Sequence, residues 1–194
     1  MRRRRLLTTL GAVGTAAVAG CGAVSGDETL SDPTVVEDAP GRRTLVFAVD
    51  GDEVGHFGVD GRVADGTVRM DTELWHRSNT RVRSVRLHLW ANPEHAATRI
   101  GLDAPLQGDS SAPPDVTLST PDRGRGVLVT VDDLDDLADE TISTIDLFVD
   151  PGADAATTVT VDCEIDLTGT GTFGTDYTLR GRMGLEYPEL GGDS

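Results

Sequence analysis

Between residues 159 and 167 apolar and polar side chains alternate without a break. Val159, Val161, Cys163, Ile165 and Leu167 fall on one side, and Thr160, Asp162, Glu164 and Asp166 on the other. A period of two fits a strand with one buried and one wet face; on a helix it would scatter the apolar set around the axis. Shorter runs of the same kind predict strands at 44–49, 54–59, 67–76, 82–91, 116–120, 126–131, 144–150, 157–167 and 176–187. Asp50-Gly51, Asp60-Gly61 and Asp65-Gly66 supply turn signals. So many short strands in one domain-sized stretch, 43–188, predict an all-β fold, a single antiparallel β-sandwich.

One or two short helices are expected in its connections. In Asn92-Pro93-Glu94-His95 the Asn suits the cap and the Pro the first turn, with Gly101 as the stop. Over 133–140, Leu134, Leu137 and Ala138 share one helical face among acids. Strands 67–76 and 82–91 also read as a hairpin. Placing Leu74 opposite Val85 keeps both apolar faces inward and sets Glu73 against Arg86, Asp71 against His88 and Arg69 against Trp90.

The stretch Glu73-Leu74-Trp75-His76-Arg77-Ser78-Asn79-Thr80-Arg81-Val82-Arg83-Ser84-Val85 resembles the strand–turn–strand of immunoglobulin-like surface modules of the CARDB and FxLYD kind. So does 129–147, where a strand, an Asp-Leu connection and Glu140-Thr141 lead into the next strand. The resemblance implies an immunoglobulin-like sandwich, and a binding or spacer module without catalytic residues.

The amino-terminal segment carries an address. Residues 2–5 are all Arg, residues 6–18 are uncharged, and Val18-Ala19-Gly20-Cys21 closes the segment. Positive, apolar and small residues in that order form an export signal. Arg3-Arg4-Arg5-Leu6-Leu7 resembles a twin-arginine signal, with Arg3 and Arg4 as the recognised pair. The last four residues match a lipobox, so the Cys21 thiol is expected to carry a diacylglyceryl group. Two acyl chains anchor stably. The apolar run is shorter than the roughly 20 residues a membrane span needs. The expected organisation is a signal peptide at 1–20, a lipidated flexible stalk at 21–42, the sandwich at 43–188 and a disordered tail at 189–194. The expected location is the outer face of the cell membrane.

The chain has 17 Lys+Arg, every one of them Arg, and 33 Asp+Glu, for a net charge of −16. Removing residues 1–20 removes four Arg and no acid, which leaves 13 − 33 = −20. Such a surface repels itself in dilute salt. The repulsion is screened once the Debye length falls to about 3 Å, near 1 M. Acid-rich, lysine-free composition resembles that of secreted proteins of extremely halophilic archaea. It excludes nucleic acid as a partner, since phosphate binding runs on basic side chains. It also leaves membrane attachment to the lipid rather than to surface charge.

No motif assembles a catalytic, cofactor or metal site. With Cys21 committed to lipid, Cys163 has no disulfide partner, and its parity places it in the core as a small hydrophobe. Blue copper needs His and Cys with a weak axial Met; no His follows Cys163, and Met183 alone does not complete the set. His56, His76, His88 and His95 lack zinc-motif spacing and read as surface residues. Asp132, Asp133, Asp135, Asp136, Asp139 and Glu140 lack calcium-loop spacing and read as a solvated face. No serine sits in a nucleophile elbow. Two features point to a binding surface. Trp75 and Trp90 have outward parity, with Arg86 on the same outer side, and the connection 92–115 is long for a compact domain. The expected function is a non-enzymatic binding or structural module at the envelope, with an envelope protein complex as partner. The alternative is an extracytoplasmic enzyme or metal-binding protein whose site has no familiar motif.

Overall fold

The computed structural model describes residues 26–39, 41–91, 99–102, 115–122, 125–132, 134, 142–150, 157–172 and 174–190. Among the described residues twelve strands run in chain order: β1 (Asp27–Leu30), β2 (Thr34–Ala39), β3 (Arg42–Val49), β4 (Asp52–Ala64), β5 (Thr67–His76), β6 (Thr80–Ala91), β7 (Arg99–Leu102), β8 (Asp115–Ser119), β9 (Val127–Asp132), β10 (Ile142–Asp150), β11 (Thr158–Gly169) and β12 (Asp176–Glu186). They form two six-stranded sheets. The first has the order β1-β12-β11-β6-β9-β8, the second β2-β3-β4-β5-β10-β7. The pairings are antiparallel except for β1 on β12. The fold is a β-sandwich, as the alternation predicts.

The core lies between the inner faces. In β11 every second residue from Val159 to Leu167 is buried, with Cys163 among them. Leu87 and Leu89 on β6, Leu179 and Leu185 on β12, Leu45, Phe47 and Phe57 on β3 and β4, and Met70 and Leu147 on β5 and β10 are at most 1% exposed. Each such burial stabilises by about 1.5–3 kcal/mol. Asp50-Gly51 and Asp65-Gly66 are two-residue hairpin turns with φ of 53° and 90°, and 51° and 75°, the left-handed pairs that type I′ turns require.

Several expectations need correction. β5 and β6 do not form a hairpin. They belong to different sheets, so Leu74 does not face Val85, nor does Glu73 face Arg86. The Arg77 amide donates to the Val54 carbonyl (3.1 Å), and the Thr80 amide and hydroxyl both donate to the Arg77 carbonyl (3.1 and 2.8 Å). These bonds bend the chain from the second sheet into the first. The acids opposite Arg86 and His88 come instead from β11, as Glu164 and Asp162. A long-range strand satisfies the same charge pattern as a sequence neighbour.

The stalk is the second correction. Residues 27–39, expected to be flexible, form β1 and β2. Leu30 packs against the core, but all six residues of β2 are exposed, Val35 at 52%. Ladder hydrogen bonds to β3 hold β2 without a burial period that a sequence could reveal.

Gly101 is not a helix stop. It sits in β7 opposite Phe148, and an added Cβ would lie 2.3 Å from the Phe148 ring. The remainder of the two expected helices, 92–98 and 133 with 135–140, lies outside the described residues. Leu134, expected on a helical face, is buried without helical structure. The helical element among the described residues is a 3-10 turn, Pro188–Leu190, whose Leu190 packs on the core at the start of the expected tail. No helix among the described residues is long and apolar enough to cross a membrane.

Asp60-Gly61 is not a turn but lies within β4. Tyr187, 2% exposed, occupies the space above Gly61, where an ideal Cβ would stand 1.8 Å from the tyrosine oxygen. That oxygen has no hydrogen-bond partner. Gly61→Ala therefore costs about 1–3 kcal/mol of overpacking in chemical denaturation. Tyr187→Phe, which removes an unsatisfied buried hydroxyl, is neutral or stabilising by about 1 kcal/mol in the same measurement.

Candidate binding face of the first sheet

β6 runs through the middle of the first sheet. Its inward residues fill the core, and its outward residues include Ser84, Arg86, His88 and Trp90. Register then sets their neighbours. Arg182 of β12, Asp162 of β11 and His88 form one cross-strand row. Arg180, Glu164 and Arg86 form the next, and Thr178, Asp166 and Ser84 the third. Opposite charges thus face each other along both ladders.

The rows are bonded into a lattice. Glu164 accepts from Arg180 Nε at 2.7 Å and from Arg86 Nη2 at 2.5 Å. The same Arg86 nitrogen reaches Asp166 Oδ2 at 3.2 Å. Ser84 and Thr178 each donate a hydroxyl to Asp166 at 2.8 Å. Arg182 grips Asp162 through two nitrogens, and its guanidinium carbon stands 5.5 Å from the Trp90 ring centre. The His88 ring centre lies 4.6 Å from that of the same indole, and His88 donates from Nε2 to the Arg125 carbonyl at 2.7 Å. His88 and Arg182, the two residues against Trp90, also line an open groove of about 590 Å³, together with Ser31, Arg86, Leu128, Asp162, Cys163, Glu164, Arg180 and Gly181.

Exposed ion pairs stabilise little, about 0–1 kcal/mol each. Their effect here is positional, since every long side chain of the lattice has its head fixed. The lattice is also balanced, with Arg86, Arg180 and Arg182 against Asp162, Glu164 and Asp166, on a chain of net charge −16. A locally neutral groove beside a cation-flanked tryptophan suits a polar partner that stacks on the ring.

The sequence-derived candidates are only partly brought together. Trp90 and Arg86 share this face. Trp75 lies on the outer face of the second sheet, stacked on His56 at 5.4 Å, with the His56 nitrogens on Glu53 (2.5 Å) and Glu73 (3.4 Å). The two tryptophans cannot serve one ligand. His76, read as a surface residue, is 2% exposed, its Nδ1 3.1 Å from the Thr80 hydroxyl. Cys163 is core, and burial pushes its thiol up to about 12, which keeps it unreactive. The residues missed were Asp162, Glu164, Arg180 and Arg182. Their outward parity is visible in the sequence, but not which strands would flank β6.

Among the described residues no three His, Cys, Asp or Glu side chains are placed to hold a metal. Asp132 is exposed, and the remaining acids of its cluster (133, 135, 136, 139 and 140) lie outside the described residues, as do Arg3, Arg4, Cys21 and His95. On the second sheet's outer face Asp60, Asp71 and Asp146 fall opposite one another in a single row across β4, β5 and β10. Like charges so placed are destabilising.

Burial works to raise the Asp166 carboxyl, but the Thr178 and Ser84 hydroxyls and the Arg86 charge outweigh it and hold the group below its ordinary value. A depressed carboxyl stabilises the fold above its unfolded pKa, about 3.9. That contribution is lost as the pH falls through the folded value. Asp166→Asn therefore lowers stability by about 1 kcal/mol at neutral pH. Denaturation curves across the acid range should show the gap to the parent closing below about pH 4.

Comparison with known proteins gives a family model, DUF8121, described as a domain of unknown function, that matches residues 27–189 and so starts at the first residue of β1. No curated protein matches significantly. Among solved structures, a cohesin module of a family 33 glycoside hydrolase from Clostridium perfringens aligns at 10% identity and TM-score 0.39, over 69% of this chain and 96% of that one. The collagen adhesin of S. aureus aligns at 7% identity and TM-score 0.36, over 82% and 97%. AvmM, which catalyses macrocyclization in alchivemycin A biosynthesis, aligns at 11% identity and TM-score 0.36, over 84% and 98%. No functional conclusion follows from likenesses this remote.

Proposed function

The chain belongs to the DUF8121 family, a domain of unknown function, and within it we propose a non-enzymatic binding module held at the outer face of the cell membrane of a halophile by lipid on Cys21. The observation that carries this reading is Val18-Ala19-Gly20-Cys21 behind the uncharged run 6–18 and the Arg3-Arg4 pair. It supplies export, cleavage and anchor in the required order. The partner is an exposed part of an envelope protein complex. It meets the groove of the first sheet, with Trp90 as the stacking platform and Arg86 and Arg182 as fixed donors.

Two further features support a saline setting. The composition has 33 acids and no Lys. The row Asp60–Asp71–Asp146 sets like charges side by side, tolerable where salt screens them.

Mass spectrometry of the first mature peptide tests the anchor. A diacylglyceryl group on Cys21 is expected, together with release of Cys21→Ser into the medium; an intact Met1 overturns the reading. Stoichiometric metal in the native protein, or turnover in a hydrolase screen in brine, would replace the binding module with the enzyme or metal-protein alternative.

Stability should rise as salt is raised from about 0.1 to 2 M, the range over which the Debye length shrinks from about 10 Å to under 3 Å. Asp71→Asn should lower the salt needed to reach half-maximal stability, read from melting curves at graded salt.

A further inference from the structure

We propose that the end of the sandwich bearing the Asp50-Gly51 turn, the Arg77–Asn79 bend and the β11–β12 connection faces the bilayer at short range, so that the opposite end, with Asp65-Gly66 and Glu189, points outward. The inference rests on lipid at Cys21 and adds which end of the domain the lipid holds.

The ladders fix which elements share an end. β1 is parallel to β12, with Asp27 opposite Asp176. β11 runs antiparallel to β12 and ends beside its start, Leu167 opposite Tyr177. β6 starts there too, Thr80 opposite Gly169. The bend from His76 to Thr80 brings β5 to the same end, and Gly55 of β4 lies opposite His76, which places the Asp50-Gly51 turn there as well. β12 is 11 residues long, so the two ends stand about 35 Å apart.

The tether is short because the expected stalk is not a stalk. From Cys21 to Asp27 the chain reaches at most about 21 Å, whereas a stalk running to residue 42 would reach about 70 Å. Nor is β1 loosely attached. Leu30 packs on the core, and the chain passes at once into β2, which is laced to β3 in the other sheet. Pro33, between the two strands, approaches Gly181 beside Leu45 and Phe47. A pull from the membrane is therefore taken up by both sheets. The facing end carries Asp27, Asp50, Asp52, Glu53 and Asp176. Anionic headgroups oppose embedding of such an end at contact; in brine that repulsion falls off within about 3 Å, so the tether's length sets the greatest distance.

The test uses the full lipidated chain in native membrane vesicles in brine. Ser78→Cys and Glu189→Cys are each labelled with a donor fluorophore, with an acceptor lipid in the outer leaflet. Cys163 is buried and Cys21 is blocked by its thioether, so each variant takes one label. Energy transfer from position 78 should exceed that from 189 by about twofold or more, given the separation of the ends. A flexible insertion of about twelve residues between Gly22 and Ala23 should bring the ratio towards one. Equal or reversed transfer, or a ratio that the insertion does not change, overturns the orientation while lipid found on Cys21 in the same sample leaves the anchor standing. An unlipidated amino terminus overturns both.

Discussion

A strand of period two has no freedom over what it buries. Once Val161 is inside, Cys163 and Ile165 are inside, and Asp162, Glu164 and Asp166 must face water. In this protein that rule acts at the centre of the first sheet, where β11 is flanked by long partners on both sides, β6 and β12. Slipping β11 by one residue would drive three carboxylates into a core of leucine, phenylalanine and methionine, at several kcal/mol each if they stayed charged and unpaired. Shifts of two residues would keep the inner faces dry; in the observed register Arg86 meets Glu164 and Arg182 meets Asp162, so opposite charges on the outer face favour this alignment among those the core permits.

The same logic explains how far the sequence could be read. Strands with one dry and one wet face announce themselves, and the nine expected from alternation are all present, with ends shifted by at most two residues except in β4, which runs five residues past its expected end and through the expected Asp60-Gly61 turn. β1, β2 and β7 were not legible. The first is four residues long, the second is exposed throughout, and the third carries a glycine demanded by the Phe148 ring rather than by its own backbone. Alternation also says nothing about which sheet a strand joins. β5 and β6 have the inward faces of a hairpin and a short connection, yet three residues and a few hydrogen bonds carry the chain across the sandwich instead. The candidate site inherits that ambiguity. Trp90 and Arg86 could be named from parity, but not the β11 and β12 side chains that fix them, and Trp75 was placed on their side only because the hairpin was assumed.

The two outer faces differ in kind. On the first, arginines and carboxylates alternate from strand to strand and satisfy one another. On the second, aspartates line up across β4, β5 and β10, with Arg62 3.4 Å from Asp71 as partial relief. Salt lowers the cost of a ladder of like charge, and it also weakens exposed ion pairs, so the two faces respond to salt in opposite senses.

β1 connects these properties to location. An edge strand of four residues contributes little burial, with Leu30 as its apolar contact on the core. Its parallel placement on β12, and the immediate passage into β2 on the other sheet, tie the amino-terminal end of the domain to both layers. For a protein free in solution such lacing changes little beyond the exposure of two sheet edges. For one held by its amino terminus it decides how much chain lies between anchor and body, and so how freely the body can turn. A long stalk would leave the groove free to sample every direction. With the lipid proposed on Cys21, a tether of six residues on a laced strand would restrict that sampling, and a partner embedded in the same membrane would then meet a limited range of approach angles.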